Sequence, residues 1–246
     1  MVIAPTTKHH IIVLSLILAF VFITSTEARA DLYDNFGIVE NNSGIAGSIA
    51  SQLTLNVTDA GSDQVLFTFS NAGPLASSIT DIYFEDGALL ALATIFDLDI
   101  DPVLYAGVDF GQPASPASLP GGSALSPPFS ATAAFSVDST SPIKANGINP
   151  GESLGLLYTL QSSLTFSDVI TAINTGFTAP DPSLYDNKGN LIHAGTTLRI
   201  GLHVQGVGQN GDYSDSFILT PVPSSVIIGI LGVCVGVLGL KLRKYA

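Results

Sequence analysis

The stretch "SQLTLNVTDAGSDQVLFTFSN", residues 51–71, decides the fold. Leu53, Leu55 and Val57 alternate with polar residues, Asp59 to Asp63 reads as a turn, and Val65, Phe67 and Phe69 alternate again. A period of two puts every second side chain on one face of an extended chain, so two such runs around an Asp-Ala-Gly-Ser-Asp turn predict a β-hairpin with one buried face. Working outward, "ITDIYFED" (79–86), "ALLALATIFDLDI" (88–100), "FSATAAFSVD" (129–138), "SLGLLYTLQ" (153–161) and "TLRIGLHVQGV" (197–207) are further extended runs, broken by Gly, Pro, Asn, Asp and Ser. In the last of them Leu198, Ile200, Leu202 and Val204 face one way and Arg199, His203 and Gln205 the other. Short strands spaced in this way predict an all-β fold, an antiparallel β-sandwich of jelly-roll-like type.

Two stretches depart from the pattern. "TFSDVITAINTGF" (165–177) predicts one short helix, with Ser167 as N-cap, Val169, Ile170 and Ile173 on one face, and Gly176 as the stop. "GQPASPASLPGGSALSPPF" (111–129) holds five prolines and reads as a long surface loop between strands, with an interdomain linker as the other possibility. No internal repeat emerges.

Both ends of the chain are apolar. Lys8, His9 and His10 precede the 13-residue run "IIVLSLILAFVFI", and "TSTEARA" then supplies Ala28-x-Ala30. A charged start, a short apolar run and a small-x-small site predict a secretory signal peptide over residues 1–30, cleaved after Ala30. An uncleaved N-terminal anchor is the competing possibility. At the other end, Val226 to Leu240 is 15 residues without a charge, and Ser224, Ser225, Lys241 and Leu242 bring the segment to 19. That is close to the about 20 residues that a membrane-crossing helix needs. Gly229, Gly232, Gly236 and Gly239 would weaken a soluble helix by about 1 kcal/mol each relative to Ala, yet glycine is common in membrane helices. A transmembrane helix over residues 224–242 is therefore expected. Lys241, Arg243 and Lys244 form a stop-transfer cluster that keeps the C-terminus cytoplasmic.

Between these ends, residues 31–219 form the expected ectodomain. From Asp31 to Thr220 there are three Lys and Arg against nineteen Asp and Glu, a formal charge of −16. Nucleic-acid affinity comes chiefly from Lys and Arg neutralising phosphates, so a nucleic-acid partner is excluded. The single cysteine, Cys234, lies in the apolar tail, so no disulfide can form within the ectodomain and its stability must come from packing.

The tripartite C-terminus, residues 220–246, combines "PVPSS", the apolar run "VIIGILGVCVGVLGL" and the basic "KLRK". It resembles the PEP-CTERM sorting signal. Pro221 and Pro223 match the family's two prolines and Ser224 the small residue after them, while Val222 stands where the family usually has Glu. The resemblance implies export by the general secretory route, retention by the membrane helix, and recognition by an exosortase. Exosortases are membrane-embedded cysteine proteases or transpeptidases of bacteria that make extracellular polysaccharide. "SSITDIYFEDG", "LPGG", "NGINPGESLGLLYTL" and "LRIGLHVQG" likewise resemble the small β-rich bodies in front of such tails. Cleavage in or beside Pro221–Ser224 is the implied processing. Two prolines favour it on physical grounds, because each fixes φ near −65° and biases the preceding residue away from helix, leaving Thr220 to Pro223 extended for a protease.

Three constellations bear on chemistry. Gly151-Glu152-Ser153-Leu154-Gly155 satisfies G-x-S-x-G, and Asp168, Asp181 or Asp186 followed by His193 or His203 completes the hydrolase order. A nucleophile elbow must follow a buried strand and open a helix. Here Asn149-Pro150 makes a turn before it and "LGLLYTL" after it reads as a strand, which favours a plain turn over a serine nucleophile. Asp97, Asp99 and Asp101 repeat every second residue and would share one strand face, where calcium could relieve their repulsion. The competing account is a solvated face with Phe96, Leu98 and Ile100 inward, and the Gly and Glu of a calcium-binding EF-hand loop are missing. His193 and His203 are ten residues apart with no cysteine or H-E-x-x-H partner, so no zinc site, and no other cofactor, is expected. The function expected is that of an exported, non-enzymatic surface or matrix protein, against a serine hydrolase using Ser153. A carbohydrate-binding module is the third possibility, although the chain has no Trp for sugar stacking.

Overall fold

In the computed structural model, which describes residues 29–86, 89–97, 107–161, 163–177 and 197–220, the 51–71 hairpin forms as its alternation predicts. Leu53, Leu55, Val57, Val65, Phe67 and Phe69 are all fully buried. The turn is tighter than the sequence indicated. Only Ser62 (φ 52°) and Asp63 (φ 59°) stand between the paired Gly61 and Gln64, both in the left-handed region that a two-residue type I′ hairpin requires. The Asp59 carboxylate accepts from the Gly61 N–H at 2.9 Å and closes the bend.

Eleven strands are present among the described residues: β1 (Ala30–Tyr33), β2 (Phe36–Asn41), β3 (Leu53–Gly61), β4 (Gln64–Asn71), β5 (Ser78–Asp86), β6 (Leu90–Asp97), β7 (Phe110–Gly111), β8 (Val137–Ser139), β9 (Ser153–Leu160), β10 (Leu198–Val207) and β11 (Tyr213–Leu219). The helices are α1 (Ala46–Ala50), α2 (Ile143–Asn146) and α3 (Phe166–Phe177). One antiparallel sheet runs β1-β3-β4-β9-β6 and the other β2-β11-β10-β5-β8-β7. The architecture is therefore an all-β sandwich. Its core is an aromatic knot between the sheets: Phe84 of β5 lies 5.3 Å from Phe67, 6.1 Å from Phe69 and 5.1 Å from Tyr158. The two phenylalanine pairs are edge-to-face, a geometry worth about 0.5–1.5 kcal/mol per pair beyond the area buried. The Tyr158 hydroxyl donates to the Phe135 carbonyl at 2.6 Å, so its one polar atom is not left unpaired in the core.

The helix over 165–177 forms, with two differences from expectation. Thr165, not Ser167, precedes it. The Asp168 carboxylate accepts from both the Thr165 N–H (2.8 Å) and its hydroxyl (2.7 Å), a capping arrangement that leaves Ser167 free to accept from Arg29. Gly176 does not stop the helix, which runs on to Phe177. A Cβ at Gly176 would sit 2.9 Å from the Leu198 carbonyl oxygen, so glycine there lets α3 approach β10. Val169, Ala172 and Ile173 are buried on its inner face.

β5 breaks the alternation rule, since eight of its nine residues are buried, polar and apolar alike. The cause is the proline-rich segment. It is neither an interdomain linker nor a plain surface loop, because residues 112–136 cross the outer face of the second sheet and bury Ala114, Leu119 and Phe129 against Tyr83 as a second, smaller core. Its two ends are tied together by the pairing of β7 with β8, Phe110 to Ser139 and Gly111 to Asp138. We call residues 112–136 the strap.

Candidate functional site

The strap covers a polar face, and this is where the chain's buried chemistry is concentrated. Asp138 (β8), Asp81 (β5), His203 (β10), Ser216 (β11) and Glu40 (β2) are successive register partners across five adjacent strands, so their side chains form one row. His203 Nδ1 lies 2.8 Å from Asp81 Oδ2, which also accepts from the Thr80 hydroxyl at 2.8 Å. Asp138 stands directly opposite Asp81 in the pairing of β8 with β5. Burial first, and the neighbouring Asp81 second, push Asp138 up to about 6. The remaining oxygens, Asp81 Oδ1 and Asp138 Oδ1, are buried and accept from no donor.

A second row holds Tyr83, Gly201 and Ile218. The Tyr83 hydroxyl donates to the Pro116 carbonyl at 3.0 Å, and burial, then Asp81, push its ionisation well above the ordinary tyrosine range. Gly201 makes room for the strap, because a Cβ there would stand 2.8 Å from the Leu119 side chain. The third row is an ion pair. Arg199 Nη1 meets Glu85 Oε2 at 2.9 Å with both side chains buried, and the guanidinium also donates to the carbonyls of Pro128 (3.1 Å) and Pro127 (3.2 Å). Its Cζ sits 5.3 Å from the Phe129 ring centroid, a cation–π contact. Burial raises the Glu85 carboxyl and the Arg199 charge opposes that rise.

The sequence explains why the strap is held in this way. Proline has no N–H, so a segment with prolines at 113, 116, 120, 127 and 128 cannot pair as a strand and offers mainly carbonyl acceptors. The face below supplies the donors: Tyr83 to Pro116, Ser216 to Pro120 at 2.8 Å, and Arg199 to Pro127 and Pro128. The Ser216 hydroxyl is thus committed to a backbone carbonyl although it stands in register with the Asp81–His203 pair.

The residues singled out from the sequence are scattered. Ser153 is the first residue of β9, and its hydroxyl shares a 2.7 Å hydrogen bond with that of Ser70 on β4. A strand follows it, not a helix, and it belongs to the first sheet whereas His203 belongs to the second. Asp168, in the first turn of α3, is engaged by the capping residue Thr165. Ser153, Asp168 and His203 are therefore not assembled as a triad. Asp181, Asp186 and His193 lie outside the described residues, as do Asp99 and Asp101; of Asp97 only the backbone, at the end of β6, is described. Ala28, Pro221, Val222, Pro223, Ser224, Lys241, Arg243 and Lys244 also lie outside them, and Ala30 opens β1. Among the described residues no group of three or more His, Cys, Asp or Glu is placed to hold a metal ion, and no helix is long and apolar enough to cross a membrane. The row beneath the strap was missed by sequence reasoning, and only the polar set Arg199, His203 and Gln205 on one side of β10 hinted at it.

Compared with known proteins, the chain has no significant match among family models, curated sequences or solved structures.

Proposed function

We propose that this chain is an exported, non-enzymatic bacterial surface or extracellular-matrix protein. Residues 1–30 deliver it, residues 220–246 tether it and offer it to an exosortase-type enzyme, and the sandwich serves adhesion or envelope structure in a polysaccharide-rich setting. The observation that carries this is the pairing, on one chain, of an A-x-A leader with a proline-led, apolar and then basic tail.

The architecture of the body supports it. β11 ends at Leu219, just before the tail, and β1 begins at Ala30, the last residue of the leader, so cleavage after Ala30 leaves β1 to start at Asp31. Thr220 is fastened to Asn35: its N–H and hydroxyl donate to the Asn35 carbonyl at 2.8 and 2.9 Å, and Asn35 Nδ2 donates back to the Thr220 carbonyl at 2.9 Å. Pro221 follows the last fastened residue directly. Most consecutive strands change sheets, as in β4 to β5, β5 to β6 and β9 to β10, which supports the jelly-roll-like wrapping. Dispersal of Ser153, Asp168 and His203 weighs against the hydrolase alternative.

Reporter fusions after Thr220 and after Ala246 test the topology. The first is expected to be active only outside the cytoplasm and the second only inside, and a cytoplasmic signal from the first would overturn the proposal. Mass spectrometry of the protein from its host, with and without the exosortase, tests processing. Equal recovery of the peptide ending at Ala246 in both strains would leave the tail as an anchor alone.

A further inference from the structure

The strap is a loop of 25 residues (112–136) whose neck is the short pairing of β7 with β8. Loops of this length inside a compact domain are commonly lids or binding loops. β8 in turn joins the sheet through only two register pairs with β5, Asp81–Asp138 and Ile82–Val137. One of those two pairs thus sets a carboxyl directly opposite a carboxyl, at the hinge of the strap.

Two ionised carboxylates in that position repel, and each would bury an oxygen without a donor, Asp81 Oδ1 and Asp138 Oδ1. A single proton held between them supplies the missing donor and removes the repulsion. The groups facing Asp138 are few. Asp81 and Tyr83 come from β5, His203 from β10 and the Ser115 N–H from the strap, with Glu40 of β2 at the far end of the row. Gly111, its partner on β7, brings no side chain. Asp109, just before β7, is engaged by the Thr140 hydroxyl. His203, the one basic side chain that acts on Asp138, is turned to Asp81.

We propose that Asp81 and Asp138 share one proton as an acid-fastened clasp at the neck of the strap, and that its loss frees the strap and uncovers the Asp81–His203–Ser216 row. The clasp acts on β8 because that strand is three residues long at a sheet edge, whereas β5 is held by β10 along its whole length. Of the strap's other ties, those from Tyr83, Ser216 and Arg199 are to carbonyls, while Glu85, paired with Arg199, accepts from the Ser130 N–H at 3.3 Å and is the other titratable group that holds the strap. A carboxyl that keeps its proton only when closed makes opening more favourable as pH rises, by up to about tenfold per unit, until the closed form also ionises. With the closed carboxyl pushed up to about 6, the response spans roughly pH 4 to 6 and is flat above it.

Hydrogen exchange of the full-length protein in detergent micelles, followed by mass spectrometry and corrected for intrinsic rates, tests this. Peptides covering 121–129 contain the hydrogen-bonded amides of Gly122, Ala124, Leu125 and Phe129. Their protection is expected to fall at least fivefold between pH 4.5 and 6.5, while peptides of the β3–β4 hairpin stay constant. Asp138→Asn, which keeps a donor for Asp81 but cannot ionise, is expected to hold the strap's protection flat. Unchanged wild-type protection, or an equal fall in D138N, would overturn the clasp. Should D138N not fold, the wild-type infrared spectrum decides. A carboxylic-acid carbonyl band persisting to about pH 5.5, above the range of exposed aspartates, supports the shared proton, and its loss together with theirs overturns it.

Discussion

The two faces of the second sheet are built from the same strands by opposite means. On the inner face Ile82, Phe84, Ile200, Leu202 and Val204 meet the first sheet in an apolar core. On the outer face Asp81, Glu85, Arg199 and His203 are as well hidden, but under a strap held by side-chain donors to proline carbonyls. Burial of apolar area, with the packing of the aromatic rings, stabilises the first. The second depends on each donor finding its acceptor, because a buried polar group without a partner costs about 1–3 kcal/mol. The inner face therefore specifies the fold, and the outer face is where the molecule is most easily altered without unfolding.

Perturbing each side should expose that contrast. Phe84→Ala removes the ring at the centre of the aromatic knot and is expected to destabilise the whole sandwich by about 3–5 kcal/mol in urea denaturation. On the outer face, Arg199→Met leaves Glu85 buried with its charge uncompensated. A loss of about 3 kcal/mol is expected, and Arg199→Met with Glu85→Leu should recover most of it. A double variant no better than the single one would mean that the pair is not the source of the loss. Gly201→Ala pushes a methyl to within 2.8 Å of Leu119 and should lift the strap at about 1–2 kcal/mol, with protection of the β3–β4 hairpin unchanged.

One further effect depends on pH. Asp138 is raised by burial and by Asp81, so between about pH 4 and pH 6 the folded protein holds a proton that the unfolded chain has released. Its contribution to stability is complete below that window and is lost as pH rises through 6. Asp138→Asn is expected to match wild type at pH 4 and to exceed it at pH 7, measured as the urea midpoint at each pH. A wild-type protein whose advantage over D138N grows with pH would have the sign reversed.

How much of this was legible in the sequence follows the same division. The alternation in 51–71 and the apolar face of Val169, Ile170 and Ile173 report burial by a single core, and the structure bears them out; in 197–207 Leu198, Ile200, Leu202 and Val204 belong to that core as read, but Arg199 and His203 on the other face are buried too. Periodicity is silent where both faces are covered. Asp81, Glu85, Arg199 and His203 look like solvent-facing residues, because the segment that hides them is rich in proline and carries no strand pattern of its own. Register was invisible as well. Nothing in the spacing of Asp81, Asp138, His203 and Ser216 tells that four strands align them. The cap of α3 was misplaced by two residues since Thr165 and Ser167 are both good caps, and the choice fell to Asp168, which reaches back to Thr165.

The contrast between the faces is tested most directly by native-state hydrogen exchange of the full-length protein across low urea concentrations. The amides of Gly122, Leu125 and Phe129 in the strap are to be followed beside those of Leu55 and Phe67 in the hairpin. Two separate behaviours are expected. The strap should exchange through a local opening of lower free energy and weak urea dependence, and the hairpin only through global unfolding. A single common free energy and slope for both sets would contradict the account, because it would make the covered face part of one cooperative core.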